Sequence, residues 1–360
     1  MAKSKNRIIG FDLSRALAIL GMVMVNYKIS MNAEGNGPEW LVFSSSLLEG
    51  RASAIFVILA GIGISLMTKK ACLHPAFSKD YRRMIWRRSG FIFVLGMCLF
   101  LMEWSADILH YYAFYMFIAS FFIVVSSRKL LLAALVTVLT SQAFLLLLNY
   151  EYGWDTSFQH YEKFWTVNGF ISNLFFNGYH PIFPWVAFVF IGMWLGRFDF
   201  RCKKFRNNLL IGSIITFLLV EAASFTLIKL STPLAGLEVA SYLFGTKPMP
   251  PTMFYMISST STAIIAILIC IHLSERFQES SIVQALVYTG QVALTLYVGH
   301  FLVLVVFSMF GGLVDNTLPF ALTVAVLFFL VSTILSTYWR KAFDRGPIEF
   351  LMRKVSDKEV

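Results

Sequence analysis

Apolar runs of about twenty residues, separated by short polar and charged stretches, recur along the whole chain. A run of that length is what an α-helix needs to cross the hydrocarbon core of a bilayer. The pattern predicts ten spans, at about 8–27, 51–67, 89–102, a fourth descending to 125, then 130–148, 181–195, 209–230, 252–273, 290–310 and 318–338. A β-barrel would instead show short alternating segments. The connection 28–39 is a polar loop. The one at 149–180 is long and aromatic, with Tyr150, Trp154, Tyr161 and Trp165, and reads as partly interfacial, a re-entrant or amphipathic helix. A polar, proline-bearing loop is expected over 231–251, an amphipathic piece over 274–288, and a basic soluble tail from 339. This divides the chain into an N-terminal bundle of five spans (1–148), the outer aromatic loop (149–180), and a C-terminal membrane domain with five spans and the tail (181–360). No internal repeat is evident, which weighs against an inverted-repeat transporter.

Composition agrees with the pattern. The 360 residues are 58% hydrophobic and 14% charged, with a mean hydropathy of +0.70; soluble domains run near about 45–50% apolar and about 25% charged. The expected fold class is an all-α polytopic membrane protein of about ten transmembrane helices. The net charge of +10 invites a nucleic-acid partner. Of the 30 Lys and Arg, however, 24 gather on the side that holds both termini, five (Lys28, Arg51, Lys163, Lys229 and Lys247) fall on the other, and Arg15 lies within the first span. That is the positive-inside distribution. It puts both termini in the cytoplasm and removes the nucleic-acid reading. The four cysteines include no CxxC pair, so neither a disulfide nor a metal site is suggested. The first run lacks a small-residue cleavage site and holds Asp12 and Arg15, as a retained span would.

Candidate chemistry centres on residues 103–112, between the apolar runs 91–102 and 113–125, with Glu103, Asp107 and His110. On a helix Asp107 and His110 are i and i+3 and share a face. Ionisable groups at the edge of a membrane core point to function. His110 can take and return a proton near neutral pH, with Asp107 fixing its tautomer; the competing reading is a structural interfacial histidine. Asn26, near the outer end of the first span, either orients a reacting carbonyl or cross-links helices. Arg51 opens the second span, where it opposes the helix dipole, so a carboxylate partner is expected among Glu49, Glu103 and Asp107. The span arithmetic sets Asn26, Arg51, Asp107 and His110 at one depth, in a single outer pocket. His300 is the deepest histidine, with Gly299 leaving room beside it. His180 reads as a turn residue. At the inner end, Asp12 and Arg15 form either a structural ion pair or a hold for an anionic ligand. In the tail, Gly346-Pro347 forces a turn, Arg345 and Glu349 clip a second helix against the bundle, and Arg340 and Arg345 either anchor the membrane surface or floor a site for a phosphorylated donor.

The chain resembles the YeiB-like family of bacterial membrane proteins, whose C-terminal part is catalogued as domain of unknown function 418. The likeness is carried by residues 7–15 running to Val25-Asn26, by Glu49-Gly50-Arg51-Ala52-Ser53, by Asp107-Ile108-Leu109-His110-Tyr111-Tyr112, by Asn177-Gly178-Tyr179-His180-Pro181, and by residues 290–297 with the Arg345-Gly346-Pro347-Ile348-Glu349 tail. The family is similar to a wider group of transmembrane acyltransferases that includes heparan-α-glucosaminide N-acetyltransferase. The resemblance implies transfer of an acyl group from cytosolic acetyl-CoA to a sugar across the membrane. One departure matters. That group places a functional histidine in the loop after the first span, and residues 28–39 here contain none. Either His110 or His300 takes that role, or the chemistry differs.

The leading expectation is therefore an integral-membrane acyltransferase of the bacterial inner membrane. Acyl-CoA would be a co-substrate docking from the cytoplasm against Asp12, Arg15, Arg340 and Arg345. A small-molecule or glycan acceptor would arrive at the outer face, where His110, Asp107, Asn26, Arg51 and His300 are the candidate catalytic residues. The alternatives are a transporter or exporter of a small or lipid-linked molecule, or a non-catalytic membrane subunit. The lipid bilayer is a partner, and self-association is left open.

Overall fold

A computed structural model of the chain describes residues 7–102, 104, 106–313 and 316–356. Among these, fifteen α-helices follow in order: α1 (Gly10–Ser30), α2 (Glu39–Ser46), α3 (Arg51–Met67), α4 (Lys69–Leu73), α5 (Ser78–Leu101), α6 (Leu109–Ser120), α7 (Ser127–Leu147), α8 (Val167–Ser172), α9 (Ile182–Leu195), α10 (Lys203–Phe244), α11 (Met253–Arg276), α12 (Ser281–Gln291), α13 (Ala293–Met309), α14 (Leu318–Ala342) and α15 (Pro347–Ser356). A single isolated bridge, Trp154 with Tyr161, is the only β-type pairing among the described residues.

Six helices are long and apolar enough to cross a membrane: α2 and α3 counted together, α5, α7, α10, α11 and α14. Two bent pairs raise the number to eight if each is one span: Val167–Asn177 with α9, bent by 45°, and α12 with α13, bent by 80°. Every expected span has a helix, but two helices fall short of that standard. α1 has 21 residues, and Asp12, Arg15 and Lys28 lower its hydropathy. α6 has only 12 residues, about 18 Å of helix against a hydrocarbon core of about 30 Å.

Two segments differ from the sequence reading. The stretch between the first two spans is not irregular throughout, because Glu39-Trp40-Leu41-Val42-Phe43 begins α2. α10 does not end near 230. It runs for 42 residues through Pro233 and kinks at Gly236, where φ is +83°. A proline removes one hydrogen bond but does not stop the leucines, valine and alanines that follow from resuming the helix.

Along its middle, α7 is patterned inside out relative to a helix of a water-soluble bundle. α7 exposes Leu132, Leu135, Leu139 and Leu146 and buries Ala134, Thr137 and Ser141. Small and hydroxyl side chains let helices approach closely, while lipid takes the leucines.

The chain forms two compact units. The first comprises Met1–Phe56 with Ala263–Leu351, the second Val57–Thr262 with Met352–Val360. In the first, α1 is the central helix, packed against α12, α13 and α14. In the second, α5 packs on α6, α7 on α9, and α6 on α9.

Candidate functional site

In the first unit α1 carries polar groups at both ends. Near its start, the Asp12 carboxylate accepts from Arg7 Nε and from Arg15 Nη1, each at 2.8 Å. Asp12 is buried, while the Arg7 and Arg15 side chains keep 52% and 30% of their surface exposed. The aspartate is spent, but each guanidinium retains donors for a further anion. Arg340, in the last turn of α14, lies within electrostatic reach of Asp12 and Arg7. Its Nε donates to Gln291 Oε1 at 2.9 Å. Arg345 is exposed in the turn after α14, where it helps line a cleft of about 640 Å³ with Trp339, Phe343 and Phe350.

Near the other end of α1, Asn26 Nδ2 lies 3.0 Å from His300 Nε2. His300 is fully buried on α13. Its Nδ1 faces the Tyr297 carbonyl oxygen, which can only accept, so in the neutral ring Nδ1 carries the proton and Nε2 the lone pair. Asn26 then donates to that lone pair. Tyr27 donates its hydroxyl to the His300 carbonyl at 3.1 Å and stacks its ring on the imidazole at 6.2 Å. Backbone carbonyl, tyrosine and asparagine thus fix the ring's position and tautomer.

Two residues beyond Asn26, Lys28 is buried between two carboxylates, Glu49 and Glu34, the latter at 3.1 Å. Glu49, one of the expected partners of Arg51, is therefore engaged by Lys28. Arg51 is the first residue of α3. Glu103, another of those candidates, lies outside the described residues.

In the second unit Asp107 and His110 meet as their spacing predicts. Asp107 Oδ2 accepts from the backbone N–H of His110 at 3.0 Å and faces its Nδ1 at 2.9 Å. The first contact caps the opening turn of α6 as an N-terminal aspartate does; the second holds the ring. Both residues are fully buried. His110 Nε2 is buried and has no hydrogen-bond partner among the described residues. Around the ring stand Tyr111, Phe100 and Phe164, with centroids at 3.8, 5.8 and 5.9 Å.

The long aromatic segment closes over this region through Asn177. Its Oδ1 accepts from Tyr161 at 2.9 Å and Ser172 at 3.0 Å. Its Nδ2 donates to the carbonyls of Tyr150 and Tyr152 at 2.8 and 2.7 Å. Its own carbonyl accepts from Trp154 Nε1 at 2.6 Å. Tyr111 donates to Asn173 Oδ1, and Tyr115 to the carbonyl of His180, a residue in the bend before α9 whose imidazole Nδ1 is buried with no hydrogen-bond partner among the described residues.

Of the candidate residues, Asn26 pairs with His300 in the first unit and Asp107 with His110 in the second. A family profile described as the catalytic part of heparan-alpha-glucosaminide N-acetyltransferase matches residues 7–227. A second, described as a protein of unknown function (DUF418), matches residues 201–359. The first alone spans more than half of the chain. The chain belongs to the heparan-alpha-glucosaminide N-acetyltransferase catalytic family. With its apolar helices, that makes it a multi-pass membrane protein of an acetyltransferase family, with a YeiB-like DUF418 C-terminal part. No curated protein matches the chain.

Asp12, Arg15, Asn26, Arg51, Asp107 and His110 all fall in the stretch that matches the catalytic family. His300, Arg340 and Arg345 fall in the stretch of unknown function. The Asn26–His300 contact links the two across 274 positions.

Three groups escape the sequence reading. Tyr27 and Asn177 have no local signature, because their partners are distant in the chain. Glu221 has one: it interrupts the apolar run of α10, where an acid is costly unless satisfied. The fold satisfies it with the hydroxyls of Ser258 and Thr246.

Proposed function

We propose that the protein moves an acetyl group from cytosolic acetyl-CoA to a hydroxyl or amine of a small-molecule or glycan acceptor at the outer face of a bacterial inner membrane. The single observation that carries this reading is the pairing of His300 with Asn26 on the helix whose other end holds the arginine cluster. It supplies an imidazole beside Asn26 in a chain that has no histidine in residues 28–39. In this reading α1 and α6 also cross, giving ten spans. An even number leaves both termini in the cytoplasm, where the lysines and arginines gather.

The guanidinium donors of Arg7, Arg15 and Arg340 left over from their protein partners take the phosphates of the donor. Asn26 stands eleven residues beyond Arg15 on α1, roughly 16 Å along the helix, a distance for the extended arm of the donor to cover. His300 Nε2 takes the proton of the acceptor as its oxygen or nitrogen attacks the thioester carbonyl. The Asn26 amide, released from the ring, donates to the developing oxyanion. The carbon–sulfur bond then breaks, and the thiolate leaves with the proton from the imidazolium. Transfer is direct, with no covalent enzyme intermediate.

A second reading has an observation of its own. His110, backed by Asp107, has no hydrogen-bond partner for Nε2 among the described residues, the arrangement of a carboxylate-oriented base. One experiment separates the two. Acetyl-CoA binding is measured by calorimetry in detergent with desulfo-CoA as control, and CoA release with glucosamine as the acceptor probe. We expect Arg15→Ala to weaken binding, and His300→Gln to keep binding but lose release. Release surviving in His300→Gln and lost in His110→Gln moves the base to His110. No binding by a folded wild-type sample overturns the acyltransferase reading and favours transport of a small or lipid-linked molecule.

A further inference from the structure

The tail beyond α14 does more than lie on the bundle. α12 and α13 meet at an 80° elbow with Val292 between them. A helix that starts at such a break has first-turn N–H groups with no partner in the helix itself. Here they are met from the tail. Leu294 N–H and Thr295 N–H donate to Glu349 Oε1 at 2.8 and 3.1 Å, and the Thr295 hydroxyl donates to Oε2 at 2.6 Å. The Thr295 oxygen in turn accepts from Ile348 N–H at 3.1 Å. A carboxylate at this end of a helix also complements the dipole.

The tail is shaped for this contact. A Cβ at Gly346 would stand 2.2 Å from Glu349 Oε2 and 2.9 Å from Val292 Cγ1, so only glycine lets the carboxylate seat. Trp339 Nε1 holds the turn by donating to the Arg345 carbonyl at 2.8 Å. The other arm of the elbow is gripped as well, since Arg340 donates to Gln291, the last residue of α12. Close by, α12 meets α1 so tightly that a Cβ at Gly290 would lie 1.8 Å from the Asp12 carbonyl oxygen.

His300 lies six residues beyond Leu294 on α13, roughly 9 Å along the helix axis. The rotation and height of α13 set whether Nε2 meets Asn26. We propose that Glu349 is a positioning residue: by capping α13 from the tail, it holds His300 in register with Asn26. The functional consequence rests on His300 as the base; the geometric claim does not. The glycine-proline tail, with no assigned activity, thereby becomes part of the machinery that positions the site.

The test reads the ring directly. In full-length protein carrying ¹³C-labelled histidine, the His300 signal is assigned by its loss in His300→Gln. We expect Asn26→Ala to shift that signal in the otherwise unchanged chain. In Glu349→Ala the signal has already moved, and adding Asn26→Ala moves it no further. Glu349→Gln, which keeps one acceptor oxygen, retains most of the coupling. CoA release from acetyl-CoA, with glucosamine as the acceptor probe, falls in kcat by roughly 10²-fold in Glu349→Ala, as a misplaced catalytic group does, with KM for acetyl-CoA unchanged. If Glu349→Ala does not fold, Thr295→Val, which removes one of the three bonds to Glu349 and the acceptor of Ile348 N–H, carries the same double comparison. A His300 signal that still responds fully to Asn26→Ala without the cap overturns the proposal. If His300→Gln keeps transfer while Glu349→Ala uncouples the signal, the catalytic reading fails and the positioning role stands.

Discussion

Two buried histidines sit in this chain, and they are held in opposite ways. His300 has a partner on both ring nitrogens, a backbone carbonyl on one side and an asparagine on the other. His110 has a carboxylate on Nδ1, and Nε2 has no partner among the described residues. Around His300, Gly299 leaves open space and Asn26 is only partly buried. Around His110, aromatic rings close in and Asp107 is fully buried. A base needs a lone pair, a fixed tautomer and a way in. His110 has the first two; in the reading proposed above, His300 gains all three once Asn26 turns from ring to substrate. The contrast teaches that an Asp–His pair at helical spacing, the strongest local signal in the sequence, is also what a structural helix cap looks like.

The sharpest way to break this comparison is to remove each imidazole in turn. His300→Gln is expected to lower CoA release by about 10²–10⁴-fold, the usual worth of a general base, and His110→Gln by less than about tenfold. Steady-state release at saturating acetyl-CoA measures both. The reverse order makes His110 the base and His300 the structural residue.

Stability separates the units next. Asn177 is fully buried and its side chain holds four hydrogen bonds in the second unit. At roughly 1 kcal/mol for each bond, Asn177→Ala should cost about 3 kcal/mol or more, read as a lowered melting temperature in detergent. A loss below about 1 kcal/mol would mean that the aromatic segment does not depend on this hub.

The glycines beside the two histidines give a finer test. A Cβ at Gly96 would stand 2.5 Å from His110 N and 2.7 Å from Asp107 Oδ2, whereas one at Gly299 meets nothing within 4 Å. Gly96→Ala should destabilise by about 1–3 kcal/mol through overpacking. Gly299→Ala, inside a helix, should be neutral or stabilising by up to about 1 kcal/mol. Equal melting temperatures for the two variants would remove the claim that His110 is the more tightly enclosed ring.

How much of this was legible in the chain follows the distance between partners. The membrane helices can be read because apolar runs are local, and each expected span has its helix. The Asp107–His110 contact can be read because a three-residue spacing is local, although Asp107 precedes α6 and meets His110 as a cap, not on a shared helix face. Asn26 and His300 are both visible as polar groups in apolar runs. Their meeting is not, since no periodicity relates residues 274 positions apart; only the packing of α13 on α1 decides it. Glu349 is visible as a clip, but its target, the first turn of α13, appears only once the elbow at Val292 is known. α2 and the last third of α10 are hidden for a different reason. Polar neighbours and a proline outweigh these short apolar stretches in a sequence reading, yet both are helical while mostly exposed, burying only Ser45 in α2 and Ala240 beyond residue 230 of α10.

The smallest effect expected also bears on the contrast between held and unheld groups. Lys28, two residues after Asn26 on α1, is buried, and its ammonium cannot remain there without a carboxylate. It has two, and they are not equivalent: the Glu49 side chain is 25% exposed and Glu34 is 50% exposed. An exposed partner in high dielectric contributes little, so Glu34→Gln should cost less than about 1 kcal/mol, a shift of a few degrees at most in a melt. Glu49→Gln removes the better-buried charge and should cost more. If Glu34→Gln proves the worse of the two, the solvent-facing carboxylate is the one that holds Lys28. The end of α1 that carries Asn26 would then be steadied from the loop before α2 and not from the turn before α3.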